Sequence, residues 1–150
     1  MVKVSRKIVE DFEVEALEFE DTVETVEKAS LLSGYPPEMI VKTLLLKVCG
    51  NYLIALVRGD RRIDYDKALR YLGSKPTLAN PMEVLETLGL EVGAVTPLNP
   101  SVRNARVILD PAIMTSSEVL CGGGSKNTLF KLKTRDLINY LKPEIADIFK

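Results

Sequence analysis

Two apolar runs separated by three residues constrain this chain more than any other feature. Val41–Val48 and residues 52–58 are each of strand length, dominated by Leu, Val and Ile, and joined by Cys49-Gly50-Asn51, a triplet suited to a tight turn. The pattern predicts a β-hairpin. An isolated two-stranded ribbon is marginal in water, so other elements must cover it, and the sequence supplies candidates. Residues 22–33 carry Val23, Val26, Ala29 and Leu32 near helical spacing, with Asp21 and Glu24 as a capping box and Gly34 as a stop. Ala68, Leu69 and Leu72 between Asp64 and Gly73 predict a second helix, and Asn80-Pro81-Met82-Glu83 opens a third that ends at Gly89. Residues 106–109, 118–121 and 129–132 read as strands. Thr134 is expected to cap a helix through Leu141, and Ile145, Ile148 and Phe149 to dock a final short helix or turn.

The predicted fold class is therefore mixed α/β. With 150 residues and no repeat, low-complexity tract or long Pro/Gly linker, residues 1–150 are expected to form one domain. No apolar run approaches the roughly 18 residues of a membrane span, and residues 1–20 mix charges without a continuous apolar stretch, so neither a membrane partner nor a signal peptide is expected. A cytoplasmic location follows as the default, with Cys49 and Cys121 expected to remain unpaired.

A net charge of −1 argues against holding nucleic acid by bulk electrostatics, so any RNA contact must be a local patch. Arg58, Arg61, Arg62, Lys67 and Arg70 form one candidate, and Lys126, Lys131, Lys133 and Arg135 another; a solvated mixed-charge face explains either equally well. The absence of histidine excludes Ser-His and Cys-His dyads and removes the usual nitrogen ligand of catalytic zinc. Chemistry must then rest on Lys, carboxylates, hydroxyls, backbone amides or water, and no metal or cofactor is expected.

Strand period puts Lys42 on the same face as Leu44, Leu46 and Val48, at the start of an apolar surface where an ammonium needs a partner. A strand-end lysine snorkelling to water fits the same pattern. Two glycine-containing segments could bring backbone N–H groups close to an oxyanion or phosphate: Gly93-Ala94-Val95-Thr96-Pro97 and Gly122-Gly123-Gly124-Ser125. Neither matches a P-loop or dinucleotide fingerprint, and each alone reads equally as a tight turn.

In this order, Val41-Lys42-Thr43-Leu44, Gly93-Ala94-Val95-Thr96-Pro97 and Gly122-Gly123-Gly124 resemble the motifs of the YbaK/prolyl-tRNA-synthetase-associated family of trans-editing deacylases. The likeness extends through Arg62-Ile63-Asp64, Ala79-Asn80-Pro81, Arg135-Asp136-Leu137 and Ile145-Ala146-Asp147-Ile148, covering the chain from about Thr22. It implies a YbaK-like, partly barrel-like mixed β-sheet flanked by helices, and hydrolysis of the ester of mischarged tRNA. Lys42 would contact the substrate, Gly93, Ala94, Val95, Thr96, Pro97, Gly122, Gly123 and Gly124 would line its pocket, and water would be the nucleophile, without metal or cofactor. Aminoacyl-tRNA, and a synthetase beside it, would be the partners. Ala94, Thr96, Gly122 and Leu129 depart from the family pattern or from its cysteinyl-specific branch, so the resemblance leaves the amino acid open. A non-catalytic module binding aminoacyl-tRNA, a nucleotide or a synthetase, and a hydrolase of another small ester, are the alternatives.

Overall fold

In the computed structural model, which describes residues 2–150, the chain opens with an antiparallel pair, β1 (Val2–Val9) and β2 (Phe12–Phe19). Helix α1 (Val26–Ser33) and a 3-10 turn (Pro37–Met39) lead into the predicted hairpin of β3 (Val41–Val48) and β4 (Asn51–Arg58), whose turn puts Cys49 and Gly50 at positive φ. There follow α2 (Tyr65–Leu72), β5 (Thr77–Leu78), α3 (Pro81–Leu88), α4 (Pro100–Arg103), β6 (Val107–Leu109) and a second 3-10 turn (Pro111–Thr115). The chain closes with β7 (Glu118–Gly122), β8 (Thr128–Lys133), α5 (Thr134–Leu141) and β9 (Glu144–Ile145).

The strands form two sheets. One is antiparallel, in the order β1-β2-β8-β7; the other is mixed, in the order β5-β3-β4-β6-β9, with β4, β6 and β9 parallel. Their inner faces enclose one core, in which Val14 and Ala16 of β2 and Cys121 and Phe130 of the first sheet meet Val41, Leu45, Ile54 and Leu56 of the second. Alternation sends Leu46, Leu53, Ala55 and Val57 to the outer face of the mixed sheet, where Ala68, Ile148 and Phe149 cover them. Burial on both faces explains the continuous apolar run of β4. A third cluster packs Leu17, Phe19, Leu120 and Leu129 under Val23 and Ala29. The sheets touch edge to edge through a parallel bridge between Ile40 and Leu120. The barrel-like character is thus a corner contact between two sheets, without closure among the described residues.

Several local expectations change. The α1 cap is Thr25, whose hydroxyl accepts from the Lys28 N–H, while the Asp21 carboxylate accepts from its neighbour Thr22. Thr134 is the first residue of α5 and donates its hydroxyl to the Ser116 carbonyl, so it caps nothing. The tail forms no helix: Glu144–Ile145 adds a parallel strand beside β6, and Phe149 bridges Ile63. Asn80-Pro81-Met82-Glu83 does open α3, with Asn80 and Glu83 forming a capping box, and Gly89 ends it. Both cysteines are free, with Cys121 buried and Cys49 exposed.

Candidate functional site

Beyond the Ile40–Leu120 bridge the two sheets leave a gap, and a cavity of about 490 Å³ fills it. Val41, Lys42, Thr43, Leu44 and Leu45 form one wall; Val23, Glu24 and Glu27 from the α1 region, Val84 and Leu88 from α3, and Gly93, Val95, Gly122 and Leu129 contribute the rest. The cavity opens along β3 because β5 pairs only with Leu46 and Lys47. The Ala79 N–H donates to the Leu45 carbonyl and the Gly59 N–H to the Ile40 carbonyl. Even-numbered residues of β3 therefore direct their amides to β4, and odd-numbered ones direct theirs to the open edge. Thr43 thus turns its backbone N–H and C=O toward the cavity. The same reasoning applies to β7, where Gly123 bonds Thr128 and the neighbouring Gly122–Leu129 pair is non-hydrogen-bonded. The Gly122 amide points away from β8, toward β3.

Lys42 does not snorkel. Its Nζ donates to the Arg61 carbonyl at 2.6 Å, and the side chain is half-buried. Burial pushes the amine below the ordinary lysine range, opposed by the negative charges of Glu27, Asp60 and Asp110. With three N–H donors and one given to Arg61, the ammonium keeps donors for a ligand. Beside it the Thr43 hydroxyl is sealed from solvent and has no hydrogen-bond partner among the described residues. A polar group in that state is costly, and its residue lines the cavity. Sequence reasoning gave Thr43 no role; a hydroxyl between Lys42 and the apolar run Leu44-Leu45-Leu46 was the available signal.

The predicted glycine segments divide. Gly93, Val95 and Gly122 line the cavity together with Lys42. Ala94, Thr96 and Pro97 are buried behind that lining; the Ala94 N–H is spent on the Glu91 carbonyl, and the Thr96 hydroxyl accepts from the Leu98 N–H. Gly123 gives its N–H to the Thr128 carbonyl, and Gly124, at φ +87°, lies in the exposed turn into β8. Neither segment is a row of free donors; each sends one or two backbone positions to the cavity and uses the others to hold its own shape.

Three of the five basic residues in the first cluster are held in ion pairs, and in the second Lys131 has acidic neighbours. Arg58 pairs with Asp60 at 2.6 Å, Arg61 with Asp110 at 2.6 Å and Lys67 with Asp147 at 2.9 Å, while Lys131 donates to the Tyr35 hydroxyl and lies near Glu15 and Glu118. Among the described residues no group of three or more His, Cys, Asp or Glu side chains is arranged to hold a metal ion, and no helix is long and apolar enough to cross a membrane.

Comparison with known proteins identifies the architecture. The model of the aminoacyl-tRNA editing domain matches residues 20–140, most of the chain. The chain belongs to the aminoacyl-tRNA editing domain family. It is 34% identical over 123 residues to the proline–tRNA ligase of Thermotoga neapolitana, a match covering 80% of this chain and 21% of the ligase, so this editing domain spans about a fifth of that relative's length. It is 32% identical over 129 residues to the uncharacterized protein YwhH of Bacillus subtilis, covering 85% of this chain and 82% of YwhH. Among solved structures, a candidate trans-editing enzyme for prolyl tRNA synthetase superposes with a TM-score of 0.81 at 27% identity, covering 91% of this chain and 87% of that one. The mixed α/β architecture of two sheets and flanking helices is thus that of an editing domain.

Proposed function

We propose that this chain hydrolyses the ester of mischarged aminoacyl-tRNA, acting in trans on substrate charged elsewhere. The observation that carries this reading is the meeting of Lys42, Gly93, Val95 and Gly122 at one cavity in a chain of the editing-domain family. Water attacks the ester carbonyl carbon, and the bond between that carbon and the ribose oxygen breaks. The ribose oxygen takes a proton to restore the terminal hydroxyl of the tRNA, and the amino acid leaves as its carboxylate with the second proton lost to solvent.

Lys42 holds the substrate and offsets negative charge growing on the ester oxygens, and the edge amides of Gly122 and Thr43 are the candidate oxyanion donors. A single such donor is worth about 10²–10³ in rate. Val41, Leu45, Val84, Leu88 and Leu129 give the amino-acid side chain an apolar wall. An aminoacyl ester is already activated, so this chain, which has no histidine, is read as using a positioned water, a cation and backbone donors. Aminoacyl-tRNA is the proposed partner, with a synthetase as the source of the misacylated substrate.

The test is a panel of tRNAs carrying different wrong amino acids, alongside the same amino acids as simple alkyl esters. The expected result is release above the spontaneous rate from at least one tRNA species and much slower release from its alkyl ester. tRNA binding with no release from any species contradicts hydrolysis and favours a binding module; equal rates on the alkyl ester contradict the tRNA substrate.

A further inference from the structure

Asp110 follows β6 and is fully buried. Its Oδ1 accepts from Arg61 Nη1 at 2.6 Å and from the Ala112 N–H at 3.0 Å, and its Oδ2 accepts from the Arg58 N–H at 3.2 Å. Its own N–H donates to the Leu56 carbonyl at 2.9 Å. One carboxylate therefore grips both ends of the 58–61 turn, whose first and last residues are also joined by the Arg61 N–H to Arg58 carbonyl bond of 2.8 Å. The carbonyl of Arg61, at the end of this turn, accepts from Lys42 Nζ at 2.6 Å. Asp110 is not part of the cavity lining; it reaches the site through the turn, and through its charge, which opposes the effect of burial on the Lys42 amine. Burying a carboxylate is costly unless its lone pairs are occupied; here two of its three donors belong to the segment that holds the Lys42 amine, the third being the Ala112 N–H.

We propose that Asp110 is a positioning residue for Lys42: it clamps Arg58 and Arg61 so that the Arg61 carbonyl aims the lysine into the cavity. Arg61 is the intermediary, with its side chain locked by Asp110 and its backbone oxygen on Lys42. The proposal rests on the reading of Lys42 as the residue that meets the substrate. It predicts that disturbing the clamp affects turnover more than substrate capture, because a misplacement of about 1 Å costs up to about 10² in rate.

The full chain is compared with Asp110→Asn, Arg61→Met and Arg61→Lys, each alone and combined with Lys42→Ala, by deacylation kinetics on the tRNA that gives release, with thermal unfolding in parallel. Asp110→Asn and Arg61→Met are expected to lower kcat about tenfold with KM within about twofold. Arg61→Lys keeps a cation against the carboxylate and recovers most of the loss. In the Lys42→Ala background none of them lowers the residual rate further, since effects acting through one residue do not add. An equal loss with and without Lys42 overturns the proposal. Should Asp110→Asn unfold, Arg61→Met, which leaves Asp110 both amide donors, carries the comparison.

A second readout needs no activity. Limiting acetic anhydride is applied and the acylation of each lysine measured by mass spectrometry. Lys42 should react several-fold faster in Arg61→Met, where loss of a neighbouring cation alone would slow it, with exposed Lys47 unchanged as the internal reference; Asp110→Asn is left out of this readout because its lost charge acts on the amine directly. An unchanged Lys42 rate overturns the clamp even if the chain deacylates tRNA. A raised Lys42 rate in a chain that deacylates nothing upholds the clamp and removes the hydrolytic reading instead.

Discussion

The Val95 carbonyl lies against Gly122 so closely that a methyl group on the glycine would collide with it. The 93–97 loop and the edge of β7 therefore meet backbone to backbone, and this contact brings Val95 and Gly122 to one cavity. Gly122→Ala must lift the loop or bend the strand. An overpacked contact of this kind costs about 1–3 kcal/mol, and the Gly122 amide would move with it. Urea unfolding should show that loss, and deacylation should fall by about 10² under conditions where the variant remains folded, the lower end for loss of a donor. Wild-type stability and rate together would contradict the contact.

Thr43→Val separates stability from activity. The native hydroxyl is buried without a partner among the described residues, so replacing it by an isosteric methyl removes an unsatisfied polar atom. Unfolding free energy should stay the same or rise by about 1 kcal/mol. If the hydroxyl bonds the substrate, deacylation should fall while stability does not. A variant that is both less stable and fully active would assign Thr43 a purely structural role.

Glu83 sets part of the acid limit of folding. Its carboxylate accepts from the Asn80 N–H at 3.0 Å and the Tyr52 hydroxyl at 2.6 Å, and pairs with Lys47 at 3.0 Å, pinning α3 to the hairpin. The Asn80 amide first, then Tyr52 and Lys47, hold its pKa down from 4.5 to about 2. The folded state thus binds this proton less readily than the unfolded one. The stabilisation is present above pH 4.5 and is lost as the pH falls toward about 2. Denaturant midpoints should drop less over that window in Glu83→Gln than in the wild type. Comparing the two is necessary because Asp60, Asp64, Glu144 and Asp147 are also held low and share the wild-type drop. Parallel curves would contradict the assignment.

The hairpin, α2, α3 and the strands β6 to β8 were legible in the sequence because each carries a local signal: an apolar run, a capping residue or a glycine stop. β1 and β2 went unread although Phe12-Glu13-Val14-Glu15-Ala16 alternates as a half-buried strand does; the alternation breaks at Ala16-Leu17, which are adjacent yet buried in different cores. The short alternating stretch is followed by apolar residues on both faces, which blurs the period over the whole strand. β9 is two residues long and exists only through a parallel pairing with β6, a partner distant in sequence. At the site, strand period grouped Leu44, Leu46 and Val48 correctly, since they share the second core, and Lys42 precedes Leu44 by two residues on the same strand. Its hydrogen bond to Arg61 was invisible, because that contact is made by a backbone carbonyl 19 residues away in the chain. Period likewise cannot say which glycine amides are spent, and ladder register alone distinguishes Gly122 from Gly123.

The central claim is that Lys42 acts on the ester of mischarged tRNA. Single-turnover deacylation of the most reactive species in the tRNA panel, with wild type and Lys42→Ala at equal folded concentration, tests it most directly. A loss of about 10²–10³ in rate, with the fold intact by circular dichroism and thermal unfolding, is predicted. Equal rates for the two proteins would contradict the account.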